Sequence, residues 1–445
     1  MKARLSATTL DRLAPGVARP DYAWAEQGVG IVHLGIGAFH RAHQAVYTEA
    51  AMAAGDRDWA IAGVSLRSGG VRDALAPQDG LYTVTERGAA AHRAVIGAVR
   101  RVLVAPESPA AVTALIADAG TRIVSLTLTE KAYAPESAIY PVLAEGLAAR
   151  HARGLPGLTL ISCDNLADNG AVLARGLAAW LAPRDPALLR WMETECACPA
   201  TMVDRIVPAT TDADRAEIAA AIGLEDAGAV ITEPFHQWVI EDRFAGPRPR
   251  WELAGARFVA AVAPFEAAKL RLLNGAHSAL AYLGLSRGHV FVHQAIADPA
   301  IAPTVERLMR GEAALSLTPT RGLDVPAYID ALLARFRNPA LPHRLAQIAT
   351  DGSAKIRQRW LAPLAIAAAE GRQCPATLCA IAAWLRHVRG DNGPVDDPRA
   401  DELAAAWARA GRDGIVGMLF APGGLMASDW APNAADEAAL LAALG

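Results

Sequence analysis

The chain has 445 residues, enough for two or three domains, and a composition that is 53% hydrophobic and 20% charged belongs to a folded protein, not a disordered one. A net charge of −3 offers no field to draw it onto nucleic acid or an anionic membrane, and no apolar run reaches the roughly 18 residues that span a bilayer. Residues 1–18 lack a signal-peptide core, so a cytoplasmic protein is expected, and the five scattered cysteines form neither a disulfide framework nor a zinc-ligand pattern, so no metal is expected.

The first half alternates two kinds of segment. Strand-like runs stand at residues 30–35, 59–64, 81–86, 122–128 and 158–162, and helical runs at 42–54, 109–119, 139–150 and 170–181. That alternation predicts parallel βαβ units joined by right-handed crossovers. From residue 264 the character changes: Ala- and Leu-rich helical segments at 264–283, 299–309, 325–336, 361–370, 375–389 and 401–410 dominate, and strand-like runs are scarce. The expected fold class is therefore α/β, with a Rossmann-like doubly wound amino-terminal domain over residues 1–263. A mostly α-helical carboxyl-terminal domain over residues 264–445 carries the substrate chemistry. The GPRPR loop at residues 246–250 lies near the boundary.

Gly35 and Gly37 follow the first strand, where a tight turn lets backbone approach a pyrophosphate and the next helix presents free N–H groups to it. Ala38 and Phe39 open that helix, and His40 stands where the third glycine of the usual fingerprint would be. The second strand ends at Arg67 with no acidic residue to take the ribose hydroxyls, so the fingerprint leaves NAD and NADP both open. Two polar clusters follow later strands, one containing Thr129, the other Asp164, Asn165 and Asn169. Strand ends of a parallel sheet face the ligand crevice, so Thr129 is a cofactor candidate and Asn165 a substrate candidate, while Asn169 is expected to cap a helix.

Lysine occurs only at positions 2, 131, 269 and 355, and all other basic residues are arginine. A lysine kept in such a chain suggests a task that needs proton loss, which guanidinium cannot perform. Lys269, Asn274 and His277 fall at roughly 0°, 140° and 80° on a regular helix and line one broad side of an otherwise apolar segment. An amine whose charged form is disfavoured by burial can accept the proton of a secondary alcohol while amide donors hold the developing alkoxide. The same pattern also fits a snorkelling lysine on a surface helix.

Several stretches together resemble the mannitol dehydrogenase family of polyol-specific long-chain dehydrogenases. They are GIGAFHRAHQ (35–44), TLTEKAY (127–133), CDNLADNG (163–170), MVDRIVP (202–208), EPFHQWVIEDRF (233–244), KLRLLNGAH (269–277), RFRNPAL (335–341) and DGSAK (351–355). The resemblance implies a metal-independent, NAD-preferring enzyme in which Lys269 is the general acid/base, Asn165 and Asn274 bind the alkoxide and His277 orients the substrate. It further implies that Glu266 links the lysine to solvent protons and that Asp204 and Lys355 line the polyol chain. Gln347, where mannitol enzymes tend to carry arginine, and Arg359, a cation one helical turn beyond Lys355, resemble the branch that interconverts D-mannonate and D-fructuronate. Arg357, where that branch usually has proline, departs from it. Mannitol 2-dehydrogenase is the alternative enzyme. A non-catalytic dinucleotide sensor is the alternative from another class, and it has no use for Lys269, Asn274 and His277 together.

Overall fold

The computed structural model describes residues 2–445. The side chains of Glu130 and Lys131 lie outside the described residues, and with them any chemical role for Lys131. The chain divides into two compact units, Met1–Ala263 and Pro264–Gly445.

Eleven strands lie in the first unit: β1 (Val29–Leu34), β2 (Ala60–Ser65), β3 (Tyr82–Arg87), β4 (Ala91–Ile96), β5 (Val99–Val104), β6 (Ile123–Leu126), β7 (Thr159–Ser162), β8 (Thr201–Asp204), β9 (Val230–Thr232), β10 (Gln237–Glu241) and β11 (Arg257–Val259). Five of them form a fully parallel sheet in the order β5-β2-β1-β6-β7. Period-2 alternation sends Ile31, Ile61, Ile123 and Ile161 into one core, and Val32, Ala62, Val124 and Leu160 into a second core on the opposite face. Both faces are covered, as a parallel sheet requires. Each fully buried Ile or Leu there contributes about 2 kcal/mol of burial free energy. Connections from β1 run to one edge through β2 and to the other through β6, so the sheet has its switch point between β1 and β6.

Two expectations need correction. The run at 81–86 does form a strand, β3, but it pairs antiparallel with β4 and parallel with β9 in a separate three-stranded sheet. The parallel sheet takes β5 instead, a strand the sequence reading passed over. A third sheet joins β11, β10 and β8, with β8 and β10 antiparallel.

The second unit is built of helices. Gly275–Leu285 and Ala434–Leu444 both pack against Pro375–Arg389, whose buried side includes Leu378, Ile381, Trp384 and Leu385. Helix Ala400–Phe420 is broken at Gly411, whose φ of 59° no helix contains. Three segments are π-helical: Lys269–Asn274, Leu308–Ala313 and Arg357–Leu361, and the first packs against the other two. All five cysteines are free thiols.

Candidate active site

At the end of β1 the chain turns through Gly35 with φ +96°. A Cβ there would lie 2.2 Å from the Thr127 carbonyl oxygen, which belongs to the loop after β6. The two loops are further tied by the Thr127 hydroxyl donating to the Gly35 carbonyl at 2.9 Å. Gly37 is different: a Cβ there would meet nothing nearer than 3.8 Å. It stands at the N-cap of helix Ala38–Ala42, with Ala38 and Phe39 partly buried in the first turn. Open space before a glycine N-cap, with unpaired first-turn N–H groups behind it, is a cradle that suits a pyrophosphate.

His40, in place of the third glycine, points away from that space. It is fully buried and stacks on His33, with ring centroids 3.5 Å apart and an interplanar angle of 17°. His33 in turn bonds the Ser125 and Thr127 hydroxyls, each at 2.8 Å. Burial holds the imidazoles of His33 and His43 down to about 3 and that of His40 well below its ordinary value, so all three are neutral. The histidine therefore packs the underside of the turn.

Beyond β2 and β6 lies a cleft of about 470 Å³ lined by Leu66, Arg67, Ala105, Leu128, Thr129 and Ile139 among others. Arg67 and Thr129 are exposed there, and Arg67 is the only charged side chain among the lining residues. A largely apolar slot with one cation and the hydroxyls of Thr129 and Ser137 at the carboxyl edge of the sheet suits the nucleoside end of a dinucleotide.

The loop after β7 presents Asn165 as an exposed residue beside the buried Asp164. Asp164 accepts from the Leu128 N–H and the Tyr133 hydroxyl, and Tyr133 also bonds Ser162 at 2.7 Å. Burial pushes the Asp164 carboxyl up, against the pull of those donors. Asn169 is not the helix cap expected of it. Its side chain is buried, donates to the carbonyls of Asp164 at 3.0 Å and Thr201 at 2.9 Å, and accepts from the Thr201 N–H at 2.9 Å. Asn169 thus joins the end of β7 to the start of β8, and the polar turn that looked like a cap signal is a clamp. Asn169→Leu is expected to leave the buried N–H and carbonyl of Thr201 unpaired, the Asp164 carbonyl keeping the Leu166 N–H, and to cost about 2 kcal/mol or more, a fall in thermal midpoint of roughly 4–8 °C by calorimetry. Asp204 is buried at the end of β8, opposite Gln237, and acts electrostatically on His43 and Tyr47. The adjacent Arg205 is structural: it bonds Glu86 and the carbonyls of Glu233 and Ala42.

In the second unit the helical angles expected for Lys269 and Asn274 are overturned. These residues open and close a π-helical segment, in which residue i+5 sits one turn above residue i, so they share a face instead of standing roughly 140° apart. His277 follows three residues later on regular helix and falls on that same face. Lys269, Asn274, His277 and Glu266, the last three residues before Lys269, are all partly buried. The segment is held from the neighbouring π-helical turn: Arg359 Nη1 donates to the Ser278 hydroxyl at 2.7 Å and to the Asn274 carbonyl at 3.3 Å, and Trp360 Nε1 donates to the Gly275 carbonyl at 3.1 Å. Desolvation lowers the Arg359 guanidinium to about 10, and no ion pair to it forms among the described residues. His277 is held neutral first by burial and then by the cations of Arg335 and Arg359 and the imidazole of His343.

Lys355 is partly buried and donates to the Thr350 carbonyl at 2.6 Å and hydroxyl at 3.2 Å, and burial followed by Arg359 lowers its ammonium. Gln347 is exposed on the short helix Leu345–Ile348. His343 was missed by the sequence reading: a single histidine after a proline in a polar loop has no periodicity to mark it. Its ring packs edge-on against His277, with centroids 5.6 Å apart. Among the described residues no group of three or more His, Cys, Asp or Glu is placed to hold a metal ion, and no helix is long and apolar enough to cross a membrane.

Comparison with known proteins bears on both units. The family model of the mannitol dehydrogenase Rossmann domain matches residues 29–253, and that of the mannitol dehydrogenase C-terminal domain matches residues 261–419. D-mannonate oxidoreductase of Escherichia coli is 39% identical over 471 residues, covering 98% of this chain and 96% of that protein. Mannitol 2-dehydrogenase of Phaeosphaeria nodorum is 38% identical over 440 residues, covering 90% and 77%. Among solved structures, the ternary complex of Pseudomonas fluorescens mannitol 2-dehydrogenase with NAD and D-mannitol superposes with a TM-score of 0.82 at 35% identity, covering 99% of this chain and 96% of the other.

Proposed function

Since the chain belongs to the mannitol dehydrogenase family, we propose that it is an NAD-linked oxidoreductase interconverting a secondary alcohol and a ketone, with D-mannonate and D-fructuronate as the substrate pair. The observation that carries the sugar-acid reading is Arg359. A half-buried guanidinium with no carboxylate partner among the described residues is costly, and a substrate carboxylate relieves that cost. Lys355 beside it adds a second cation, and the exposed Gln347 stands on the nearby short helix.

The open turn at Gly37 and the cleft at Arg67 and Thr129 fit NAD, with Gly35, Gly37, Ala38 and Phe39 at the pyrophosphate. NAD held there would supply the hydride acceptor for oxidation of the carbinol and, in reduced form, the hydride donor for reduction of the ketone. Lys269 as free amine takes the hydroxyl proton in oxidation, and as ammonium gives it back in reduction. Asn165 and Asn274 donate to the substrate oxygen as it gains charge. His277, neutral and fixed against Phe336 with ring centroids 4.7 Å apart, orients the carbinol by one hydrogen bond. Glu266, one turn before Lys269, passes the proton to solvent, and Asp204 and Lys355 bind the remaining hydroxyls. Five free thiols suit a reducing compartment, which supports the cytoplasm.

Steady-state reduction with NADH tests the substrate. The ratio kcat/KM is expected to favour D-fructuronate over D-fructose by about tenfold or more, the worth of one hydrogen bond to a charged group. A preference for fructose would instead make the enzyme a mannitol 2-dehydrogenase, the reading favoured by the likeness to the Pseudomonas fluorescens structure.

A further inference from the structure

Between the π-helical segment Lys269–Asn274 and the regular helix Gly275–Leu285 the backbone ladder changes register. A π turn is wider than an α turn and rarely persists on local propensity, so it needs ties from other parts of the chain. Here the ties run both ways. From inside the segment, Arg271 Nη1 donates to the Ser316 carbonyl at 2.5 Å and hydroxyl at 3.2 Å, which fixes its flank to the turn after Leu308–Ala313. At its end the donors point inward, Trp360 Nε1 to the Gly275 carbonyl at 3.1 Å and Arg359 Nη1 to the Asn274 carbonyl at 3.3 Å.

Trp360 is the better fixed of these two inward donors. Its side chain is 1% exposed, and its ring stands edge-on to that of Tyr282 with centroids 6.1 Å apart. Tyr282 is itself held, donating its hydroxyl to the Ala349 carbonyl at 3.0 Å. Arg359 makes its shorter bond, 2.7 Å, to the Ser278 hydroxyl instead. The indole N–H is therefore a rigid donor placed at the residue next to Asn274. Relaxed to a regular helix, the segment would carry Asn274 roughly 140° around the axis from Lys269.

We propose that Trp360 is a positioning residue for the reaction. Its indole N–H, bonded to the Gly275 carbonyl, holds the π turn that keeps the Asn274 amide on the same face as the Lys269 amine. This inference rests on the reading above in which Lys269 exchanges the proton and Asn274 holds the substrate oxygen. It adds a buried side chain that acts on that oxygen only through the backbone.

The test removes donor and bulk separately. Trp360→Phe keeps a large aromatic ring and loses the N–H, whereas Trp360→His places Nε2 where the indole nitrogen was and loses the second ring. Turnover is measured with NADH on whichever of D-fructuronate and D-fructose the native enzyme reduces faster. Trp360→Phe is expected to lower kcat by about tenfold or more with the Kd for NAD within about twofold, and Trp360→His to recover part of that loss although it melts lower. In an Asn274→Ala background, Trp360→Phe is expected to change kcat by less than about twofold, because the amide it positions is gone. If Asn274→Ala is slow while Trp360→Phe keeps kcat within about twofold of native, this inference fails alone. It also fails if Trp360→His is slower than Trp360→Phe, since packing and not the donor then governs, or if the losses multiply in the double variant. Near-native kcat in Asn274→Ala removes the reading of the site and this inference with it.

Discussion

Replacing Lys269 with alanine is expected to lower turnover by about three to four orders of magnitude while NAD affinity stays within a fewfold of the native value. The separation follows from placement. The glycine turn and the cleft assigned to the cofactor lie in the unit Met1–Ala263, whereas Lys269 opens the π-helical segment of the other unit. Lys269→Arg separates proton transfer from mere positive charge. Arginine keeps the cation but does not give up its proton at working pH, so this variant is expected to be about as slow as the alanine one. A small primary amine added to Lys269→Ala is expected to restore part of the rate, because it enters the vacated space and accepts the proton. In the native enzyme, oxidation is expected to speed up as pH rises and reduction to slow, and both trends are expected to vanish in Lys269→Ala. Near-native turnover in Lys269→Ala, or recovery in Lys269→Arg, would show that the proton goes elsewhere.

The parts of this architecture that local pattern can express were legible before any coordinates. Apolar runs such as residues 30–35 and 59–64 mark the centre of a parallel sheet because both faces are buried, and β1 and β2 lie there. Strand β5 escaped notice because Arg100 and Arg101 interrupt its apolar residues. As the edge strand it can leave Arg101 exposed while Val102 and Val104 face inward. Strand β3 alternates as cleanly as any, but alternation does not name a partner, and the short link through Gly88 to β4 makes it half of a hairpin. At the site, the sequence already put Lys269, Asn274 and His277 on one broad side of a helix, though regular-helix geometry spread them over roughly 140°. Only the π-helical turn, a tertiary feature supported by Arg359 and Trp360 from a distant segment, aligns them. His343 was hidden for a related reason: it meets His277 through space from 66 positions further along the chain, and nothing local announces it.

Gly35→Ala and Gly37→Ala, two residues apart, are expected to fail for opposite reasons. At Gly35 the backbone holds φ at +96°, and a methyl group would sit 2.2 Å from the Thr127 carbonyl and 3.0 Å from Leu128 Cδ2. The first atom is backbone, so relief requires the loops after β1 and β6 to part. That breaks the bond from the Thr127 hydroxyl to the Gly35 carbonyl and disturbs the Thr127–His33 contact below it. Left-handed strain and a backbone clash together cost about 3 kcal/mol or more, so the amino-terminal unit is expected to melt roughly 6–12 °C lower, with nucleotide binding lost as a consequence. At Gly37, φ is −110° and the nearest atom to a new methyl group is 3.8 Å away. That change is expected to leave the melting temperature within about 2 °C of native, since a glycine cap replaced by alanine costs about 1 kcal/mol or less. The methyl group nonetheless fills the space assigned to the pyrophosphate, so the Kd for NAD measured by titration calorimetry is expected to rise by about tenfold or more. Native affinity in Gly37→Ala would move the phosphates away from this turn, whereas a normal melting temperature in Gly35→Ala would show that the two loops separate easily. The pair therefore distinguishes the glycine that lets the chain fold from the glycine that leaves room for a ligand.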